Sequence, residues 1–137
     1  MMELDRHKKG LQAPDQDAWN MQMYTARVFD ELVYDTDPNL GNFLIDTSWR
    51  LWIVDKSRAF RIMPGLREPK NLVRCDRSLL AALRKLDEQT LAQTIKGLLT
   101  KTEQKAILSR RDKIVKFFDD QVAKSGEAAV LFDLRRP

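Results

Sequence analysis

Between Asp35 and Asp55 the chain places side-chain oxygens before, between and after two short apolar runs. The stretch reads Asp35-Thr-Asp-Pro-Asn-Leu-Gly-Asn42-Phe-Leu-Ile-Asp46, then Leu51-Trp-Ile-Val-Asp55-Lys-Ser57. Asp37 is an acid in a loop, Asn42 is an amide five residues on, and Asp55 is a second acid at the end of the second apolar run. Carboxylate and amide oxygens are hard donors suited to magnesium or calcium, and a loop carboxylate can sit beside an attacking hydroxyl. Phosphoryl transfer needs both, because its catalysis is mostly the positioning of charge.

The elements around these residues must bring them together. Pro38 and Gly41 stop any helix, and Phe43–Ile45 and Leu51–Val54 are apolar runs separated by a polar stretch, the pattern of a hairpin. If the strands pair, Asn42 and Asp55 come close enough to share a cation although they are thirteen residues apart. Ahead of the loop, Met21, Tyr24, Val28, Phe29 and Leu32 recur at helical spacing, predicting a helix from about Asp17 to Tyr34 with Asp15 or Asp17 as its cap. Residues 1–14 are polar, end at Pro14 and show no period that could bury a face, so a flexible lead-in is expected there. Arg58 to Asp76 carries Pro64, Gly65 and Pro69 and reads as an irregular connection with one helical turn. From Ser78 the pattern is helical: a stripe at Leu79, Leu80, Leu83 and Leu86, another at Leu91, Ile95, Leu98 and Leu99, then a longer helix capped by Thr100 or Thr102 and stopped at Gly126. Ala128 to Leu134 reads as an apolar tail that docks as an extended segment.

Composition sets the outer bounds. A chain of 137 residues with 43% apolar and 32% charged residues suits one globular domain with a real core. The net charge of +4 is spread along the sequence and points only weakly to an anionic partner. No apolar run approaches a membrane span, and the first residues lack the apolar segment of a secretory signal, so a cytoplasmic location is expected. One cysteine, Cys75, and one histidine, His7, exclude an internal disulfide and argue against a Cys/His zinc site.

Asp37-Pro-Asn-Leu-Gly-Asn42 resembles the Asp-Arg-His-x-x-Asn loop of the phosphatidylinositol kinase-like branch of the protein-kinase superfamily, and Val54-Asp-Lys-Ser57 resembles that branch's counterpart of Asp-Phe-Gly. The run Asp55-Lys-Ser-Arg-Ala-Phe60 is similar to bacterial members of this atypical kinase group. The resemblance covers roughly residues 17 to 62. It implies that Asp37 is the catalytic acid-base residue, that Asn42 and Asp55 are metal ligands, that Asp35 is accessory, and that Mg2+ and ATP are the cofactors. Pro38 and Asn39 stand where the family loop carries Arg and His, which removes a cation. The residues before Asp37 contain no Gly-rich cover, no phosphate-pairing lysine and no Glu partner for one. The expectation is therefore a mostly helical α+β fold over residues 15–137: a kinase-like C-lobe with a small β-hairpin after the catalytic-type loop and its N-terminal lobe absent.

Other readings of the same residues stand beside this one. The loop can be a plain polar turn, or a calcium loop beginning at Asp35 in which Asp46 falls where the bidentate Glu would be, and Asp55 can be a simple strand-end cap. Trp49 and Trp52 suit packing more than a binding platform. Arg58, Arg61, Arg67, Lys70, Arg74 and Arg77 form either a solvated face or an anion-binding rim. Arg110, Arg111, Lys113, Arg135 and Arg136 invite a nucleic-acid reading, which ranks low because no Gly-containing turn separates the relevant helices. The leading function is the catalytic-loop half of a phosphotransferase, inactive as this chain alone. The competing one is a non-catalytic interaction module, completed by a complementing N-lobe or by self-association. The phosphoryl acceptor and any residues binding the nucleotide itself are not legible.

Overall fold

The computed structural model describes residues 1–38, 42–54 and 58–135. The fold is α+β and mostly helical, with two small two-stranded sheets among the described residues. Helix α1 (Glu3–Lys9) leads into α2 (Gln16–Leu32), followed by the hairpin β1 (Phe43–Ile45) and β2 (Leu51–Ile53). A 3-10 turn at Pro69–Asn71 interrupts the connection to β3 (Cys75–Asp76). Then come α3 (Arg77–Lys85), α4 (Glu88–Thr94), α5 (Lys101–Ser125), α6 (Glu127–Val130) and β4 (Leu131–Phe132).

Local chemistry sets most of these boundaries. Asp15 caps α2 by accepting the Ala18 N–H at 3.1 Å, and Asp76 and Asp87 cap α3 and α4 through the N–H groups of Leu79 and Thr90. At α5, Thr100 accepts the Glu103 N–H while the Glu103 carboxylate accepts the Thr100 N–H, a reciprocal capping box. Its far end is Gly126, whose φ of 85° is left-handed territory that glycine enters without strain.

Helix α5 is the spine of the main core and touches α2, α3, α4 and α6. Val28, Leu72, Cys75, Leu80, Leu83, Ile114 and Phe118 pack there with Val130 and Leu131. A smaller cluster of Ala13, Trp19 and Ile45, with Met23, Trp49 and Leu51 against it, joins α2 to the hairpin. The parallel pair β3–β4 closes the corner of the main core, with Cys75 opposite Leu131 and Asp76 opposite Phe132.

Two segments differ from expectation. Where a flexible lead-in was expected, residues 3–9 form α1. The helix docks without an apolar stripe, because buried Glu3 holds Arg6 through two hydrogen bonds of 2.7 Å and the Arg6 guanidinium lies 5.2 Å from the Trp19 ring centre. Gly10, at φ 67°, ends it, and residues 1 and 2 bridge to Ile45 and Leu44 of β1. The tail expected to be extended instead turns through α6 before entering β4, because Gly126 restarts the backbone and leaves room for a single helical turn.

Candidate functional site

The loop between α2 and β1 is held from several sides. Tyr34, at φ 50°, turns the chain out of α2, and Phe60, at φ 61°, turns it back. Non-glycine residues are strained in that region, and such strain persists only where the surroundings enforce it. Here the Phe60 N–H donates to the Val33 carbonyl at 2.5 Å, and the Thr36 N–H and hydroxyl both donate to the Arg58 carbonyl. The start of the loop and the segment returning after residue 57 are thereby tied to the C-terminal end of α2.

Within this frame Asp35 is buried, and its Oδ1 accepts the Asp37 N–H at 2.9 Å. Its role is to shape the turn that presents Asp37. Asn42 is buried at the foot of β1, where its Nδ2 donates to the Asp37 carbonyl at 2.7 Å. That bond fixes the amide so that Nδ2 faces the loop, and Oδ1 remains the face capable of accepting a cation. The Asn42 carbonyl accepts the Val54 N–H at 2.9 Å. The antiparallel register, Phe43 with Ile53 and Ile45 with Leu51, thus brings Asn42 opposite the residue that precedes Asp55 in sequence. Asp55 itself lies outside the described residues, as do Asn39, Leu40 and Gly41 of the loop and Lys56 and Ser57. Among the described residues no three His, Cys, Asp or Glu side chains converge as a metal-binding group.

A cation missing from the loop's own sequence is supplied from α2. Arg27 donates to the Pro38 carbonyl at 3.0 Å and to Asp30 at 3.4 Å, and its guanidinium lies 5.5 Å from the Phe43 ring centre. Sequence inspection did not single it out, although its position about two turns before the end of the predicted helix was a usable signal.

Arg110 is a residue that sequence reasoning placed elsewhere. Read as part of a basic surface, it is fully buried and donates to the carbonyls of Leu32, Arg61 and Met63 at 2.8, 2.9 and 2.5 Å. Its guanidinium also lies 5.6 Å from the Tyr34 ring centre. Burial pulls its pKa below the usual guanidinium value, with Tyr34 and Glu31 acting in the opposite direction. It rivets α5 to the end of α2, where the candidate loop begins, and to the segment that returns after the hairpin. Arg111 donates to the carbonyls of Leu83 and Leu86 at the end of α3, and Arg135 pairs with Asp15 at 3.3 Å. These three basic residues of the nucleic-acid reading are therefore engaged within the fold; Arg136 lies outside the described residues.

Two residues of the expected basic rim are engaged in the same way. Arg74 donates to the Leu131 carbonyl and stacks near Phe132, while Arg77 pairs with Glu127 and Asp133. The calcium-loop reading loses Asp46 to the hairpin turn. Its Oδ1 accepts the N–H groups of Ser48 and Arg50, and its Oδ2 accepts the Trp52 indole N–H at 3.0 Å. These donors, Trp52 foremost, hold the Asp46 carboxyl below the usual range. Trp49 sits in that turn at φ 61° and packs edge-on against Trp19, whereas Trp52 is 54% exposed.

Compared with family models, curated proteins and solved structures, the chain finds no match in any of the three. Among the described residues no helix is long and apolar enough to cross a membrane.

Proposed function

We propose that this chain is the catalytic-loop, C-terminal lobe of a kinase-like phosphotransferase, with Asp37 as the acid-base residue and Asn42 and Asp55 as the residues that would hold Mg2+. The observation that carries the reading is the link from Asp37 through Asn42 to Val54: one side-chain bond of 2.7 Å and one backbone bond of 2.9 Å join the three motif segments. Such a link fits a site in which a base and cation-binding oxygens must keep a fixed separation. Asp35 and Arg27 set the loop conformation that presents Asp37. Magnesium, when bound with ATP, would neutralise phosphate oxygens. Asp37 would take the proton of the acceptor hydroxyl, and Asn42 would keep its amide oxygen aimed by donating from Nδ2. A cover for the nucleotide would come from a complementing lobe, and the chain alone is expected to be inactive.

The second reading, a non-catalytic interaction module, is favoured by apolar exposure on the hairpin, where Leu44, Trp52 and Ile53 are 36%, 54% and 37% exposed. A docking lobe or self-association would cover that surface. Calorimetric titration of the purified chain with magnesium and ATP, beside Asp55→Ala, separates the two. Magnesium-dependent nucleotide binding that disappears in the variant supports the phosphotransferase reading. No heat at millimolar ligand removes that reading for the isolated chain and leaves the interaction module.

A further inference from the structure

The outer edge of β1 is met at Ile45, whereas among the described residues most of the outer edge of β2 is open. In the antiparallel ladder the Val54 N–H bonds the Asn42 carbonyl and the Asp46 N–H bonds the Arg50 carbonyl. Hydrogen-bonded pairs alternate, so Leu44 and Trp52 exchange bonds, while the backbone groups of Phe43, Ile45, Leu51 and Ile53 point away from the partner strand. On the β1 side, Ile45 is met by the N–H and carbonyl of Met1. On the β2 side, only the Leu51 N–H is met, by Gln22 Oε1 at 2.8 Å. Among the described residues the Leu51 carbonyl and the Ile53 N–H and carbonyl receive no hydrogen bond.

That open edge borders a largely apolar cavity of about 380 Å³ between α2, β2 and α3. Thr25, Phe29 and Leu32 line it from successive turns of α2, and Leu79 and Leu83 line it from α3. Its course along α2 from Gln22 to Leu32 is about 15 Å, the reach of roughly five extended residues. Arg50, at its margin, is exposed, and its guanidinium makes no hydrogen bond among the described residues. Asp46, the acid beside it, is already held by three donors of the turn.

We infer that this groove is a docking site for an extended, acidic and apolar peptide segment of a partner protein, added as a strand to β2. Unpaired backbone groups on an edge call for another backbone, whereas the apolar walls accept every second side chain of a strand. Arg50 selects an acidic residue at one end. Gln22 sets the register, because by occupying the Leu51 N–H it confines the added strand's bonds to the three remaining groups. The inference is independent of the phosphotransfer chemistry, since none of these residues belongs to the Asp37–Asn42 loop.

Selection of a random dodecapeptide display library on the full chain tests it. The expected result is enrichment of sequences with alternating apolar residues and an acidic residue. The best synthetic peptide should lose at least tenfold in affinity for folded Arg50→Glu, and N-methylation of its central amides should weaken it comparably while leaving the protein unchanged. Saturation should slow hydrogen exchange of the Ile53 amide at least tenfold. Any of four results overturns the proposal: no enrichment, a consensus with helical spacing, equal affinity for Arg50→Glu, or an unchanged Ile53 amide. Sedimentation showing that the groove is closed by a second copy, with peptide binding absent, overturns it as well.

Discussion

Arg110 shows how much of the candidate site depends on a residue that never touches it. Its three carbonyl partners lie on α2 and on the segment returning after the hairpin, so one side chain fixes the end of α2, where the loop begins, against that returning segment. Arg110→Met fills similar space but leaves those carbonyls without a donor, and each buried unsatisfied acceptor costs about 1–3 kcal/mol. The expected loss is on the order of 3 kcal/mol or more, read as a lower urea midpoint at unchanged m-value. Arg110→Lys should recover only part of it, because one ammonium cannot reproduce the planar fork. A midpoint within about 0.5 kcal/mol of the parent would show that water takes over those acceptors. From the sequence, Arg110 was legible only as positive charge beside Arg111, since charge does not reveal burial. Asp37 and Asn42 were legible because their spacing is itself the signal; their direct link is a feature of the folded loop.

Elements whose stability comes from an apolar stripe and a cap could be read in advance: α2 within two residues at each end, the hairpin, and α5 with its cap narrowed to Thr100 or Thr102, of which Thr100 is the one. Helix α1 could not, because it is held by a Glu3–Arg6 pair over Trp19, and no periodicity encodes a single cation stacked on a ring. Contacts between elements through buried polar groups were equally hidden. Fully buried Glu31, near the end of α2, accepts the Glu68 N–H at 2.8 Å and so ties α2 to the segment leading into the Pro69–Asn71 turn. Burial raises its pKa above the ordinary carboxylate value; the Glu68 N–H, the Arg67 charge and Asn71 oppose the rise, and Asp30 adds to it. Arg110 is the other charge that reaches it. The folded state therefore keeps a proton that the unfolded chain has already released in the interval between the two pKa values. Stability from this group is full below the unfolded value and is lost as pH rises through the folded one. Glu31→Gln keeps an acceptor for Glu68 and removes the titration. Unfolding free energies measured across that interval should fall with pH in the parent relative to the variant. Parallel curves would mean that Glu31 ionises in the folded protein as readily as in the unfolded one.

At the scale of the whole molecule, the two apolar clusters are unequal, and the candidate loop hangs between them. The main core binds α2, α3, α5 and the β3–β4 corner, whereas the hairpin rests on a few side chains around Trp19 and Ile45. Helix α2 belongs to both, so it transmits the rigidity of the larger core as far as Val33, and Arg110 carries that rigidity to Tyr34 and Met63. Beyond those anchors the hairpin can open without breaching the main core. Elements that bind or clamp ligands are commonly drawn from this low-stability end of a structure. Native-state hydrogen exchange should therefore separate two units, with the Trp52 amide exchanging about two orders of magnitude faster than those of Ile114 and Phe118. A peptide seated on β2, or magnesium and nucleotide held at the loop, should narrow that gap by slowing only the hairpin. Equal protection of the three amides in the free chain would make the protein one cooperative unit, and the loop would then be as rigid as α5.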